Sequence, residues 1–359
     1  MIGCAIAHSL ARGGANVRVL ERDRIGAHAS GAAAGMLAPL GESPEQGVLA
    51  ALGARSLALF PDEVAELREA TGIDPALVAS GLLRVCEDAE CDLYRERARA
   101  LESLGGRWLE RHELLEREPA LAPHFAGALW SPREAHVDSL QLTRAYAAAA
   151  QRAGARFDVG VEVQGLLRAG ERVVGVRTSA GDHAADCVVL CSGAWTRSAE
   201  DWLGVPLPIE PVKGQMLALH AAPLRLSALV WGTGAYLVPR ENGWVRVGAT
   251  VERVGFDARP TARGVAELLA GAVRLVPRLA EARFDTTWAS LRPVTPDELP
   301  LVGPVASAPG VLLAAGHGRN GILLCPLTAQ LVAGWILRGV RDPDAAALDP
   351  GRFALPPRD

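Results

Sequence analysis

IGCAIAHSLARGGANVRVLE, residues 2–21, decides the fold. Residues 2–10 (IGCAIAHSL) carry apolar and small side chains at helical spacing, the pattern of a helix pressed against a sheet. Gly13-Gly14 stops it, and residues 16–21 (NVRVLE) alternate as a short strand that ends in an acid. Helix, turn, strand and acid are the second half of a βαβ unit of the dinucleotide-binding type. In its G-x-G-x-x-G fingerprint Gly3 stands as the last glycine, where close helix–strand packing is needed. Glu21 follows 18 positions later, the spacing of a ribose-binding carboxylate. The first strand and the first two glycines of such a unit would precede Met1. Two readings of that follow: a gene start assigned too far downstream, or a chain that has lost its phosphate cradle. The residues alone also fit an ordinary helix–strand pair ending in a surface glutamate.

The rest of the sequence narrows the classes. At about 150 residues per domain, 359 residues suggest two domains. Apolar residues make up 49% and charged ones 22%, a globular composition. Thirty-seven Lys and Arg against forty-one Asp and Glu exclude a strongly basic nucleic-acid footprint or a polybasic membrane patch. Spanning a bilayer takes roughly eighteen apolar residues; the longest candidate, 310–324, is broken by His317, Arg319 and Asn320. The six cysteines show no C-x-x-C spacing, no secretory signal opens the chain, and no His/Cys/Asp/Glu cluster has metal-ligand spacing, so the reading is a cytoplasmic protein with free thiols and no metal.

Further along, residues 27–40 (AHASGAAAGMLAPL) are nearly all small, which lets backbone approach a flat ligand. Residues 46–71 form an amphipathic helix stopped by Gly72, and Ser139 caps another to residue 153. Strands are expected at 81–86, 156–163, 172–178 and 183–190, the last running into CSGAW (191–195). Stretches 213–219, 235–240 and 244–250 read as an antiparallel sheet, followed by a helix at 262–275. A buried strand at 311–315 leads through GHGRNG (316–321) into a helix at 322–338, with a Pro- and Arg-containing tail beyond Asp342. Nucleotide-type segments at both ends and in the middle imply a discontinuous nucleotide domain, 1–73, 134–211 and 291–359, interleaved with a substrate domain, 74–133 and 212–290.

Five stretches then carry a resemblance: ASGAAAGML (29–37), PVKGQMLAL (211–219), YLVPRENGWVRVGAT (236–250), WASLRP (288–293) and AAGHGRNGILLCP (314–326). In this order they resemble the D-amino-acid oxidase superfamily of flavoproteins, and within it the glycine oxidases of thiamine biosynthesis. The resemblance implies an α/β fold: a Rossmann-like domain holding non-covalent FAD, interleaved with an antiparallel-sheet substrate domain and here lacking the first strand. It implies oxidation by O2 of glycine, sarcosine or a small D-amino acid to the 2-oxo acid and H2O2, supplying iminoglycine for a thiazole. It also implies a homo-oligomer, a tetramer in that family, with no nucleic-acid or membrane partner. A dehydrogenase of the same fold using another acceptor, or a truncated product without FAD, are the alternatives.

Carried over by position, Glu21 looks like the FAD ribose carboxylate with Arg22 beside it, and Met1, Ile2 and Gly3 look like further cofactor-binding residues. Ala29, Ser30, Ala34, Gly35 and Met36 look like the lining of diphosphate and flavin, and Glu162 like a backbone contact to adenine. His317, Gly318, Arg319, Asn320, Gly321, Ile322 and Leu323 look like the loop and helix start over the flavin's pyrimidine edge, where a helix N-terminus favours negative charge. Arg292 resembles the bidentate clamp on a substrate carboxylate, Tyr236 its hydroxyl partner, and Arg319 a charge near the substrate. Read only as residues, these are a strand-end arginine, a core aromatic and a surface loop charge. His317 between glycines is given no general-base role, because the flavin carries that chemistry. Where the resembled oxidases have a histidine two residues before the tyrosine, this chain has Gly234, so a somewhat larger amine also fits the sequence.

Overall fold

The computed structural model describes residues 1–42 and 47–353. Its first helix, Ile2–Arg12, buries Cys4, Ala5, Ala7 and Ala11. Such short side chains let it lie close between the helices Ser139–Arg152 and Cys325–Arg338. At Gly3 an added Cβ would already stand 3.4 Å from Cys191 Cβ. After the helix, strand Arg18–Glu21 pairs in parallel with Arg156–Val159. Val188–Leu190 pairs in parallel with Val311–Ala315, which pairs antiparallel with Leu301–Pro304. Parallel strands of this kind need helices on their faces, and the three helices above, with Val48–Thr71, form that layer around one apolar core.

A second core lies under an eight-stranded sheet. Its spatial order runs Arg283–Val294, Glu210–His220, Trp244–Gly248, Ala235–Pro239, Leu229–Gly232, Leu82–Cys86, Gly127–Ser131, Arg107–Glu110. The pairings are antiparallel except Leu229–Gly232 against Leu82–Cys86. Helix Ala262–Leu275 covers one face of the sheet, capped by Thr261 Oγ1, which accepts from the Gly264 N–H at 3.2 Å. This is an α/β fold in which a Rossmann-like layer is interleaved with an antiparallel sheet. A third, small antiparallel unit, Val163–Ala169, Arg172–Thr178 and Gly181–Ala184, stands beside them.

Several elements differ in detail from the sequence reading. The strand expected at 183–190 is two, Gly181–Ala184 and Val188–Leu190, because the chain leaves one sheet for another. Asp138, not Ser139, caps the helix Ser139–Arg152: its carboxylate accepts from Gln141 N–H at 2.9 Å. The Ser139 hydroxyl instead donates to the Ala33 carbonyl at 2.8 Å. The last long helix starts at Cys325, since residues 318–320 form a 3-10 turn. The expected helix start at Gln46 and the tail's last residues, 354–359, lie outside the described residues.

Candidate active site

Between the two layers runs one cavity of about 1500 Å3. Single small-molecule sites usually occupy roughly 300–1000 Å3, so this one has room for a large cofactor and a small substrate. It reaches from the free edges of Arg18–Glu21 and Val188–Leu190 to the eight-stranded sheet. Met1, Ile2, Gly3, Glu21, Arg22, Ala29, Ser30, Ala34, Gly35, Met36, Glu162, Tyr236, Arg292, His317, Gly318, Arg319, Asn320, Gly321 and Ile322 all line it. Leu323 does not: its side chain packs in the helical core, and its carbonyl accepts from Ser56 Oγ at 2.6 Å.

At the nucleotide end, Glu21 Oε1 accepts from the Asp23 N–H at 2.7 Å. Arg22 Nη1 stands 3.8 Å from Glu162 and its guanidinium lies 4.9 Å over the Trp195 ring. Trp195 also meets His28, with ring centroids 4.4 Å apart. A flat, cation-backed aromatic wall of this kind suits a base and ribose. Ser30 Oγ accepts from the Met1 nitrogen at 2.9 Å, so the small-residue loop meets the first helix at its N-terminus, where helix amides attract phosphate.

That loop is held from behind. Three consecutive carbonyls, of Ala32, Ala33 and Ala34, accept from Trp288 Nε1 at 2.8 Å, Arg246 Nη1 at 3.3 Å and Arg240 Nη2 at 2.5 Å. Arg240 also donates to the Val137 carbonyl at 2.8 Å, and Arg246 pairs with Asp138 at 3.0 Å. Burial lowers the Arg240 pKa to about 10, and the charge of Arg246 pushes the same way. Gly35 lies in this clamp at φ +83°, where a Cβ would sit 1.9 Å from the Val137 carbonyl oxygen. Only glycine fits both the left-handed backbone and the space.

At the opposite end, Arg292 projects from the edge strand Arg283–Val294. Its guanidinium crosses the neighbouring strand at Gly214, and Nη1 donates to the Thr250 carbonyl at 3.1 Å. Among the described residues no carboxylate pairs with Arg292, although it is half-buried. Its other N–H donors are thus available to an anion in the cavity. Tyr236 lies across Gly248, where a Cβ would stand 2.4 Å from its hydroxyl. With Met216, Trp231 and Ala249 it forms an apolar wall. Arg319 is exposed at the rim. At Gly234 a Cβ would meet only Gly271 Cα, at 3.9 Å, so that corner is open.

His317 is 3% exposed, and its Nε2 shares a hydrogen bond with Thr328 Oγ1 at 3.1 Å. Burial lowers its pKa to about 3, so it is neutral in ordinary buffers. That environment agrees with a shaping role and not with an acid–base one.

Gly214, Trp195, Trp288, Arg240 and Arg246 escaped the sequence reading as site residues. A partial signal existed: Gly214, Arg240, Arg246 and Trp288 fall inside the resembling stretches, and Trp195 inside CSGAW. Arg240 and Arg246 cannot be told from surface charges without the tertiary contact.

A long slot with a helix start and a pinned small-residue loop at one end and, among the described residues, an arginine without a carboxylate partner at the other has the room and the polar groups for a dinucleotide cofactor. The family model for FAD dependent oxidoreductases (DAO) matches residues 1–335, and the chain belongs to that family. It is 38% identical over 344 residues to a glycine oxidase of Geobacillus kaustophilus, covering 94% of this chain and 91% of that one. The crystal structure of a glycine oxidase from that organism superposes with a TM-score of 0.94 at 37% identity, covering 98% and 96% of the two chains. A bifunctional ThiO/ThiG protein of Nostoc sp. (strain PCC 7120) is 39% identical over 348 residues. The chain spans about half the length of such bifunctional relatives, 52% in that case. The protein is an FAD-dependent oxidoreductase.

Proposed function

We propose that this enzyme oxidises glycine, and related small amines such as sarcosine or small D-amino acids, with O2 to the 2-oxo acid and H2O2. The half-buried Arg292 carries this reading: a cavity-lining guanidinium with one backbone acceptor and no carboxylate partner among the described residues. The reading rests also on the glycine oxidases that the chain resembles. When bound, FAD supplies a two-electron acceptor for the substrate's α C–H bond, with oxygen taking up the electrons. Arg292 holds the carboxylate through charge-assisted hydrogen bonds, and the Tyr236 hydroxyl at the same end supports it. Met216, Trp231 and Ala249 give that end an apolar wall, and a less polar surrounding favours the amine in its neutral, oxidisable form. The protein thereby orients one C–H bond, a service that lowers the barrier without any acid or base from the chain. The resulting imine hydrolyses to glyoxylate and ammonia, or is passed on toward a thiazole, as the resemblance to the glycine oxidases of thiamine biosynthesis implies. The open corner at Gly234 supports sarcosine and small D-amino acids besides glycine.

The same reading includes Arg319 at the substrate entrance, FAD contacts at the cavity-lining residues above, and a cytoplasmic homo-oligomer, a tetramer by resemblance. It divides the chain into an FAD domain, 1–73, 134–211 and 291–359, and a substrate domain, 74–133 and 212–290. Glycine added anaerobically to FAD-loaded enzyme is expected to bleach the flavin, and air to restore it with release of peroxide. Flavin that stays oxidised with glycine, sarcosine and D-alanine refutes the proposal.

A further inference from the structure

Lys213 is the only lysine in a chain with thirty-seven Lys and Arg residues. It is also 2% exposed. Burying an ammonium is expensive unless it is paired, so its surroundings show what it does. Along strand Glu210–His220, Val212, Gly214 and Met216 face the cavity, while the alternation of a strand sends Lys213 and Gln215 to the opposite face. There Lys213 Nζ pairs with Glu252 Oε2 at 2.9 Å and donates to the Arg259 carbonyl at 3.3 Å.

Glu252 collects more than one donor. Its Oε1 accepts from Gln215 Nε2 at 2.6 Å and from the Thr250 hydroxyl at 2.5 Å. The Thr250 hydroxyl in turn accepts from the Gln215 N–H at 2.9 Å. Lys213 and Glu252 also exchange backbone hydrogen bonds, at 2.8 and 3.0 Å. Burial works to raise the Glu252 pKa, but hydrogen bonds from Thr250, Gln215 and Lys213 outweigh it and hold the group charged. The net result is a segment, 250–252, fastened to the back of strand Glu210–His220. The carbonyl this segment presents to the front, that of Thr250, is the acceptor for Arg292 Nη1 at 3.1 Å.

We propose that Lys213 is a positioning residue for substrate binding: through Glu252 it fixes Thr250, whose carbonyl aims the Arg292 guanidinium at the substrate carboxylate. A compact ammonium suits this enclosed point between a carboxylate and a carbonyl, whereas the planar fork of arginine, used for every other cation in the chain's Lys and Arg set, is bulkier and directional. The proposal rests on the reading of Arg292 as the carboxylate clamp, so both are tested together.

The full-length FAD-loaded enzyme and the variants Lys213→Met, Glu252→Gln and Arg292→Lys are compared. Acetate, a carboxylate without an oxidisable amine, is titrated against the flavin's visible spectrum, and KM and kcat for glycine are measured beside flavin content and Tm. A tenfold change in affinity corresponds to about 1.4 kcal/mol, on the scale of one charge-assisted hydrogen bond. Lys213→Met should therefore raise the acetate Kd and the glycine KM together about tenfold, with kcat within twofold and flavin retained. Glu252→Gln, which keeps neutral hydrogen bonds, should raise both about threefold. Unchanged acetate Kd and KM in Lys213→Met overturn the proposal, as does a loss confined to flavin content, Tm or kcat. If Lys213→Met does not fold, Glu252→Gln decides on the same criteria. Arg292→Lys separates the two ideas: acetate binding unaltered there removes the clamp itself, whereas weakened binding there with normal Lys213→Met removes only the role of Lys213.

Discussion

Replacing Gly214 by alanine isolates the clamp from the fold. The backbone at 214 is ordinary extended strand, so alanine adds no conformational penalty. Its Cβ, however, would stand 2.3 Å from Arg292 Nη2 and 2.4 Å from Cζ and Nη1. Ordinary carbon–nitrogen contacts lie near ~3.5 Å, so the guanidinium must retreat by roughly 1 Å. Because it is the tip of a flexible side chain, it can do so while the sheet stays intact. The retreat breaks the alignment with the Thr250 carbonyl and with a bound carboxylate, each worth roughly 1.5–3 kcal/mol for a charged group. Losing about one such interaction corresponds to a 10- to 100-fold fall in kcat/KM. The loss should be mainly in KM, since the carboxylate is held in ground and transition states alike. Oxygen uptake against glycine concentration, with Tm and flavin absorbance recorded on the same sample, provides the assay. A Gly214→Ala enzyme with wild-type KM would refute the idea that Arg292 crosses the strand at this residue. One that has lost its flavin would refute the claim that the fold tolerates the change.

Gly35→Ala should behave oppositely: a Cβ 1.9 Å from a backbone oxygen at φ +83° cannot be relieved by a side chain, so Tm and flavin content fall together by a measurable margin, and retention of both would contradict the clamp geometry. Arg240→Met leaves the carbonyls of Ala34 and Val137 without their donor, at about 1–3 kcal/mol for each unsatisfied group; FAD affinity by fluorescence titration should drop at least tenfold, and unaltered affinity counts against the loop being pinned from behind. The pH dependence of stability follows from His136 and His317, whose folded pKa values are both lowered to about 3 by burial. A histidine held neutral binds fewer protons folded than unfolded, so its contribution is complete above the unfolded pKa of ~6.5 and is lost as pH falls toward 3. Each should reduce stability by at most about 1.4 kcal/mol per pH unit in that window. Tm should fall progressively between pH 6.5 and 4.5, and His317→Gln should flatten the slope; a Tm independent of pH there would show that these histidines are not held neutral.

What sequence alone could determine was whatever is encoded locally or carried by a contiguous motif. Helices Ile2–Arg12 and Ala262–Leu275 and strand Val311–Ala315 are legible because apolar period and turn residues lie within each segment. Resembling stretches carried the cofactor and pointed to Arg292 and Tyr236, while Glu21 was legible from its spacing after Gly3. Leu323 lies one residue past the cavity lining, with its side chain in the helical core. Whether an arginine faces water, a carbonyl or a substrate depends on strands far apart in the chain. Arg240 and Arg246 become a clamp on residues 33–34 because the folded chain brings the antiparallel sheet against the small-residue loop. Gly214 became meaningful once the guanidinium of a residue 78 positions later lay across it. Lys213 and Glu252 likewise meet through an isolated bridge between segments far apart in the chain. Local propensity writes the elements, but the direction and partner of each side chain are set by tertiary packing, where the chemistry resides.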